Sequence, residues 1–133
     1  MKNIQIIFLT PLIITLHTSA MFHDFRLRSA AARNDTKTVM AHINHGIDIN
    51  AQDEDTGNTA LHEAAAKGHV EVTKMLLEHG AQVHIQNKDK CRPLHIAINS
   101  HKKNRTCIEI ILKVELADHA NQLCERLTEL DTD

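Results

Sequence analysis

The stretch Thr59-Ala60-Leu61-His62-Glu63-Ala64 determines how this chain can fold, because it recurs 33 residues later as Arg92-Pro93-Leu94-His95-Ile96-Ala97. Self-similarity at a period of roughly 20–50 residues is typical of arrays built from one small structural unit. At helical spacing, Leu61, Ala64 and Ala65 lie on one face, so the stretch predicts a helix with a narrow apolar side. The repeated unit therefore begins with an amphipathic helix.

A second helix is predicted directly after the first. Its apolar residues follow a helical spacing: Val72, Met75, Leu76 and Leu77. Thr59 is a favourable N-cap for the first helix, and Gly68 and Gly80 suit the left-handed residue that ends a helix. One pair of short helices cannot bury its apolar faces alone, so neighbouring pairs must stack against each other.

This unit resembles the ankyrin repeat from about Leu27 to Leu116. The matching features are a TPLH-like helix start, a pair of alanines, Gly-His between the helices, a VxxLLL-type second helix and Gly-Ala before a turn. The resemblance implies an all-α solenoid of stacked helix-turn-helix units with short β-turn connections. It also implies structural roles for His62 and His95, which are expected to hydrogen-bond the turn backbone and tie adjacent repeats together.

Three copies of the unit are predicted. In the first, Leu27, Ala30 and Ala31 align with the middle copy at an offset of 34 residues, which implies one extra residue in the turn at 52–57. In the third, Arg92 replaces the capping Thr, and Glu115 replaces a terminating Gly, so the last helix is free to continue. The predicted organisation is a signal peptide at 1–20, repeats at 21–51, 52–85 and 86–116, and a C-terminal capping helix and tail at 117–133. A fourth, degenerate repeat is the alternative for the last segment.

Residues 1–20 have the features of an export signal. Lys2 supplies a positive start, an uncharged apolar run follows over residues 6–16, and small residues lead up to Ala20. The run is shorter than the roughly 20 residues that span a bilayer, and it contains Pro11. We therefore expect cleavage after Ala20 and a periplasmic or secreted chain without a stable membrane anchor; an uncleaved hydrophobic tail or anchor is the alternative.

Composition restricts both the core and the partners. The chain has 133 residues, of which 2% are aromatic and none is Trp or Tyr, so its core must use aliphatic side chains. Such a core suits packed short helices better than a β-sandwich. The formal net charge of -2 does not favour a nucleic-acid partner held by bulk electrostatics. Three cysteines leave at least one thiol unpaired within a monomer, and Cys107 and Cys124, on apolar helical faces, are expected to be buried.

No motif for catalysis is present, because the sequence lacks a Gly-rich phosphate loop, a GxSxG elbow and an HExxH pair. We therefore expect neither enzymatic activity nor a cofactor. The eleven histidines leave metal binding as an alternative, with His42 and His45 three residues apart on a helix and His79 and His84 on either side of a turn. Neither pair shows the third ligand that a convincing site needs.

Two tripeptides match the N-glycosylation pattern in predicted loops, Asn34-Asp35-Thr36 and Asn104-Arg105-Thr106. They matter only if the producing cell has an endoplasmic reticulum. Asn34 also takes the place of Gly68 in the first repeat, and Asn tolerates left-handed geometry better than most residues.

The resemblance implies that a partner binds along a concave strip, formed by the turn tips and the exposed side of the first helices. Carried over onto this sequence, the strip consists of Arg33, Asp55, Thr56, Asn58, Lys67, Lys88, Asp89, Cys91, Asn99 and Ser100. It is acidic at 53–55 and basic at 88–92, so the partner is expected to carry charges in the opposite order. The predicted function is an exported, monomeric adaptor or inhibitor, such as a bacterial factor acting on a host or periplasmic protein. A His-rich metal-binding protein and a decayed fragment of a longer array are the alternatives.

Overall fold

The computed structural model describes residues 24–100 and 104–130, with side chains up to residue 128. These residues form six helices and no strand. The helices are α1 at 24–32, α2 at Thr36–Asn44, α3 at Ala60–Lys67, α4 at Val70–Glu78, α5 at Pro93–Asn99 and α6 at Arg105–Leu130. The expected all-α fold is confirmed.

The helices stack as successive pairs in two layers. In one layer α3 packs against α5; in the other α2 packs against α4, and α4 against α6. Small residues let the two layers approach closely, since Ala64 and Ala65 are at most 1% exposed. The continuous core between the layers is formed mainly by Leu27, Ala30, Ala31, Leu61, Ala64, Ala65, Val72, Leu76, Ala97 and Ile111. This burial stabilises units that could not fold singly.

The helix ends follow the predicted local chemistry. The Thr59 hydroxyl accepts a hydrogen bond from the His62 N–H and caps α3. Gly68 ends α3 at φ 71°, and Asn34, its counterpart in the first repeat, is also left-handed at φ 60°. Arg92 gives α5 no side-chain cap, because a guanidinium group has no acceptor. The local signals at Thr59, Gly68 and Asn34 were therefore sufficient to predict these ends.

The C-terminal region is one continuous helix. As predicted from the missing glycine, α6 continues past Glu115, so the expected boundary between 116 and 117 lies inside it. Almost all side chains from 116 to 128 are exposed; the exception is Asp118, which lies 3.4 Å from His84. Cys107 is fully buried as expected, but Cys124 is exposed, because α6 has left the core by that point. Despite its length, α6 is not apolar enough to cross a membrane, and neither is any other described helix.

Candidate protein-binding surface

The turns before α3 and α5 stack directly on each other. The backbone N–H of Lys88 donates to the carbonyl of Thr56 at 3.0 Å. The amide of Gln52 bridges the same two turns, donating to the carbonyls of Gly57 at 2.8 Å and Gln86 at 2.9 Å. The turn tips are therefore held in a fixed row, as a rigid binding edge requires.

His62 joins the two repeats from beneath this edge. Its Nδ1 accepts the N–H of Thr59 at 3.1 Å, which places the proton on Nε2, and Nε2 donates to the carbonyl of Cys91 at 3.0 Å. The ring is fully buried, and this burial lowers the pKa of His62. The expected structural role of His62 is thus seen directly. His95 makes the corresponding bond to the Arg92 N–H at 3.3 Å, but its ring is exposed.

A first hollow, of about 310 Å³, lies between α1, α3 and the first turn. At its edge Arg28 pairs with Asp53 at 2.9 Å and fastens α1 to that turn. Asp53 also accepts the N–H groups of Thr56 and Asp55, and the Thr56 bond is the main reason that the pKa of Asp53 is lowered. Asp53 therefore organises the turn, which leaves Glu54 and Asp55 as the exposed acidic groups. Phe25 also lines this hollow and is 61% exposed, although no sequence pattern singled it out.

A second hollow, of about 430 Å³, lies between α3, α5 and the second turn. It brings together four residues predicted for the strip: Lys67, Cys91, Asn99 and Ser100. Ala66 and Ile96 give it an apolar floor, and His95 adds an exposed imidazole. Two adjacent hollows therefore lie along the first helices, where the concave strip is predicted.

The remaining predicted residues have different placements. Thr56 lines the first hollow, and three residues are exposed at the turn tips: Asp55, Lys88 and Asp89. Asn58 is turned inward, because its amide donates to Glu63 and accepts from Asn87, both at 2.9 Å. Arg33 lies in neither hollow of the strip; it lines a separate hollow at the outer side of α2.

Two polar links between repeats were not predicted. His69 Nε2 bonds to the carbonyl of Ala32 at 3.1 Å, and Asn104 donates to the carbonyl of Gly68 at 3.0 Å. Both residues precede a second helix, so they make equivalent links to the preceding repeat. The Asn104 side chain also accepts the N–H of Thr106 at the start of α6. Its amide therefore has a structural role, which a glycan at this position would disrupt. Asn34, in the other tripeptide that matches the glycosylation pattern, is exposed.

The histidine pairs do not form a metal site within the described parts of the chain. No group of three or more His, Cys, Asp or Glu residues comes together there in a way that could hold an ion. His79 Nδ1 contacts the carbonyl of Met75 at 2.7 Å, and His84 lies 3.4 Å from Asp118. His42 and His45 line the same outer hollow as Arg33, which no carboxylate lines.

Sequence comparison agrees with this geometry. A family model of three ankyrin repeats matches residues 27–122. The chain belongs to the ankyrin-repeat family. Mouse ankyrin repeat domain-containing protein 40 is 34% identical over 98 residues, which cover 74% of this ankyrin protein and 25% of the relative. Mouse protein phosphatase 1 regulatory subunit 12A is 33% identical over 99 residues, covering 69% of this chain and 10% of the relative. The Xenopus laevis inhibitor of Bruton tyrosine kinase is 38% identical over 53 residues, covering 40% of this chain and 4% of the relative.

The chain matches only a small part of each of these relatives. This ankyrin chain spans a quarter or less of each of these three proteins. Two of them are named as a regulatory subunit and as an inhibitor, and the shared segment is the repeat array. Ankyrin repeats mediate interaction between proteins, so protein binding is the class of function that the family supports.

Proposed function

We propose that this ankyrin array binds an extended segment of another protein along the two hollows of its concave strip. The observation that carries the proposal is the pair of adjacent hollows beside the row of fixed turns. Their walls combine apolar surface at Ala66 and Ile96 with exposed polar groups, a mixture typical of protein interfaces. Because the hydrogen bonds between repeats already fix the conformation of this surface, the array loses little conformational entropy when a partner binds.

The charges of the strip favour a partner segment with a basic end and an acidic end. Glu54 and Asp55 stand exposed beside the first hollow, whereas Lys67 lines the second. Lys88, at the second turn, lies between these charges, because its Nζ donates to the backbone carbonyl of Glu54. Opposite charges speed association and fix the direction in which a segment lies. Phe25 supplies an aromatic contact at the acidic end, where a basic side chain of the partner could stack on its ring.

The test combines capture with matched charge reversals. The immobilised full chain is used to isolate a partner, and the dissociation constant of the purified complex is measured by calorimetry. Lys67→Glu, inside the second hollow, should weaken binding about tenfold or more, whereas Lys74→Glu, exposed on α4 outside both hollows, should leave it unchanged. Equal losses in the two variants, or an effect on the melting temperature of Lys67→Glu alone, would contradict the proposed surface.

We also propose that the chain is exported before it acts as an adaptor or inhibitor. Support comes from sequence alone: the positive start, the apolar run at 6–16 and Ala20 at a cleavage position. These residues lie outside the described ranges. N-terminal sequencing of the protein recovered from outside the cytoplasm should begin at Met21. A product that stays in the cytoplasm and still carries Met1 would refute export.

A further inference from the structure

The first repeat has a second concave surface, distinct from the strip. A hollow of about 590 Å³ opens on the outer side of α1 and α2. It is lined by Arg26, Arg33, Lys37, Thr38, Ala41, His42 and His45. Its charged groups are therefore all cationic or histidine, and small neutral residues make up the rest of the lining.

The carboxylates near this hollow are already engaged. Asp24, two residues before Arg26 on α1, has an interaction partner of its own. Asp35 is the only acidic residue between 25 and 47. It caps α2 by accepting the Thr38 N–H at 3.1 Å and the Thr38 hydroxyl at 2.6 Å. These bonds, and more weakly the charge of Arg33, lower the pKa of Asp35. No carboxylate is among the residues that line the hollow with Arg26, Arg33 and Lys37.

The need for solubility does not explain why the charges around this hollow are all positive. A terminal repeat needs a polar outer face, but charges of both signs would meet that need. The exposed surface of α6, at the opposite end of the array, shows such a mixture, with Arg105 paired to Glu109 at 3.0 Å and Glu125 next to Arg126. Three cations around one hollow instead provide the complementary field for an anionic ligand.

We propose that this outer hollow binds a short acidic segment of a partner protein. The guanidinium groups of Arg26 and Arg33 are suited to bidentate hydrogen bonds with carboxylates, and Lys37 adds a point charge at the start of α2. The volume is within the range of sites that enclose a small ligand, so it accommodates a few acidic side chains. A concave, local site matches a protruding chain segment better than it matches a flat anionic bilayer.

The test uses the full chain and a fluorescein-labelled oligoglutamate peptide, with binding measured by fluorescence anisotropy at low and at physiological salt. Arg33→Gln with Lys37→Gln should weaken binding about tenfold. The matched control is Lys74→Gln with Lys113→Gln, which removes the same charge from exposed positions outside this hollow and outside the strip. The control should change the affinity less than about twofold, because it leaves the local field intact. Circular dichroism melting curves of both double variants should overlay that of the parent chain.

Three results would overturn the assignment. The first is equal weakening in the two double variants, which would mean that the peptide senses only the overall charge. The second is no binding of the peptide by the parent chain. The third is that the parent chain binds phosphatidylserine-rich vesicles but not the peptide, and that the double variant of Arg33 and Lys37 no longer binds the vesicles. That result would show that the hollow binds a membrane surface instead of a protein segment. The strip variant Lys67→Glu separates this site from the concave one, since it should leave peptide binding at the outer hollow unchanged.

Discussion

Gly57 provides the most direct test of how the turns stack. It lies at φ +73°, and a Cβ atom there would stand 2.8 Å from the backbone nitrogen of Lys88 and 3.2 Å from two backbone atoms of Asn87. That nitrogen donates to the Thr56 carbonyl at 3.0 Å, so the second turn cannot move away without weakening the bond. Gly46 is a matched control, because it has the same φ and no atom within 4 Å of its added Cβ.

The two substitutions to alanine share one cost and differ in another. A left-handed alanine costs roughly 1–2 kcal/mol at either position. At Gly57 the displaced Lys88–Thr56 hydrogen bond adds about 1 kcal/mol, and the overpacked contact adds roughly 1–3 kcal/mol. We therefore expect Gly46→Ala to lower the free energy of unfolding by about 1–2 kcal/mol and Gly57→Ala to lower it by about 3–6 kcal/mol.

Urea unfolding followed by far-ultraviolet circular dichroism measures both variants against the parent chain. The difference between them reports the contact between turns, since the backbone strain cancels. A loss at Gly57 no larger than the loss at Gly46 would refute the reasoning, because the two turns would then not be in contact in solution.

Three further changes test the helix ends, the buried histidine and the C-terminal helix. Arg92→Thr restores a cap worth about 1 kcal/mol, but it removes the ion pair to the largely buried Glu115 at 3.5 Å. In urea unfolding, the single variant should therefore show little net gain in the free energy of unfolding, whereas the same change in a Glu115→Ala background should show a gain of about 1 kcal/mol. A full gain in the parent chain would contradict this coupling. Because burial lowers the folded pKa of His62, the unfolded chain binds the proton more readily, and the free energy of unfolding should fall as pH drops below 6.5. His62→Gln should reduce that pH dependence; an unaltered slope would assign it to other groups. Ending the chain after Asn121 removes only exposed side chains among those described, so the melting temperature should stay nearly constant, and a large decrease would show that this part of α6 is packed in solution.

Much of the fold could be predicted because its signals are local. Thr59, Gly68 and Asn34 each shape the backbone within a few residues, and the 33-residue offset identifies the repeating unit without any long-range information. The missing glycine at Glu115 likewise predicted the continuation of α6. Predictions that depended on neighbours in space were less successful. Asn58 was expected on the binding strip, but its side chain turns inward. Cys124 was expected to be buried, but it lies on a part of α6 that has left the core.

The sequence by itself determined the repeating helix pairs, their caps and the aliphatic core, because propensity and periodicity act over short distances. Only the tertiary structure decided which polar groups meet. Arg28 and Asp53 are 25 residues apart, His69 and Ala32 are 37 apart, and neither contact has a sequence signature of its own. Arg33 was carried over to the concave strip by its position in the repeat, but its surroundings place it in the outer hollow with Arg26 and Lys37. Side-chain direction and neighbouring charge depend on how the units stack, and that stacking exists only in the folded array.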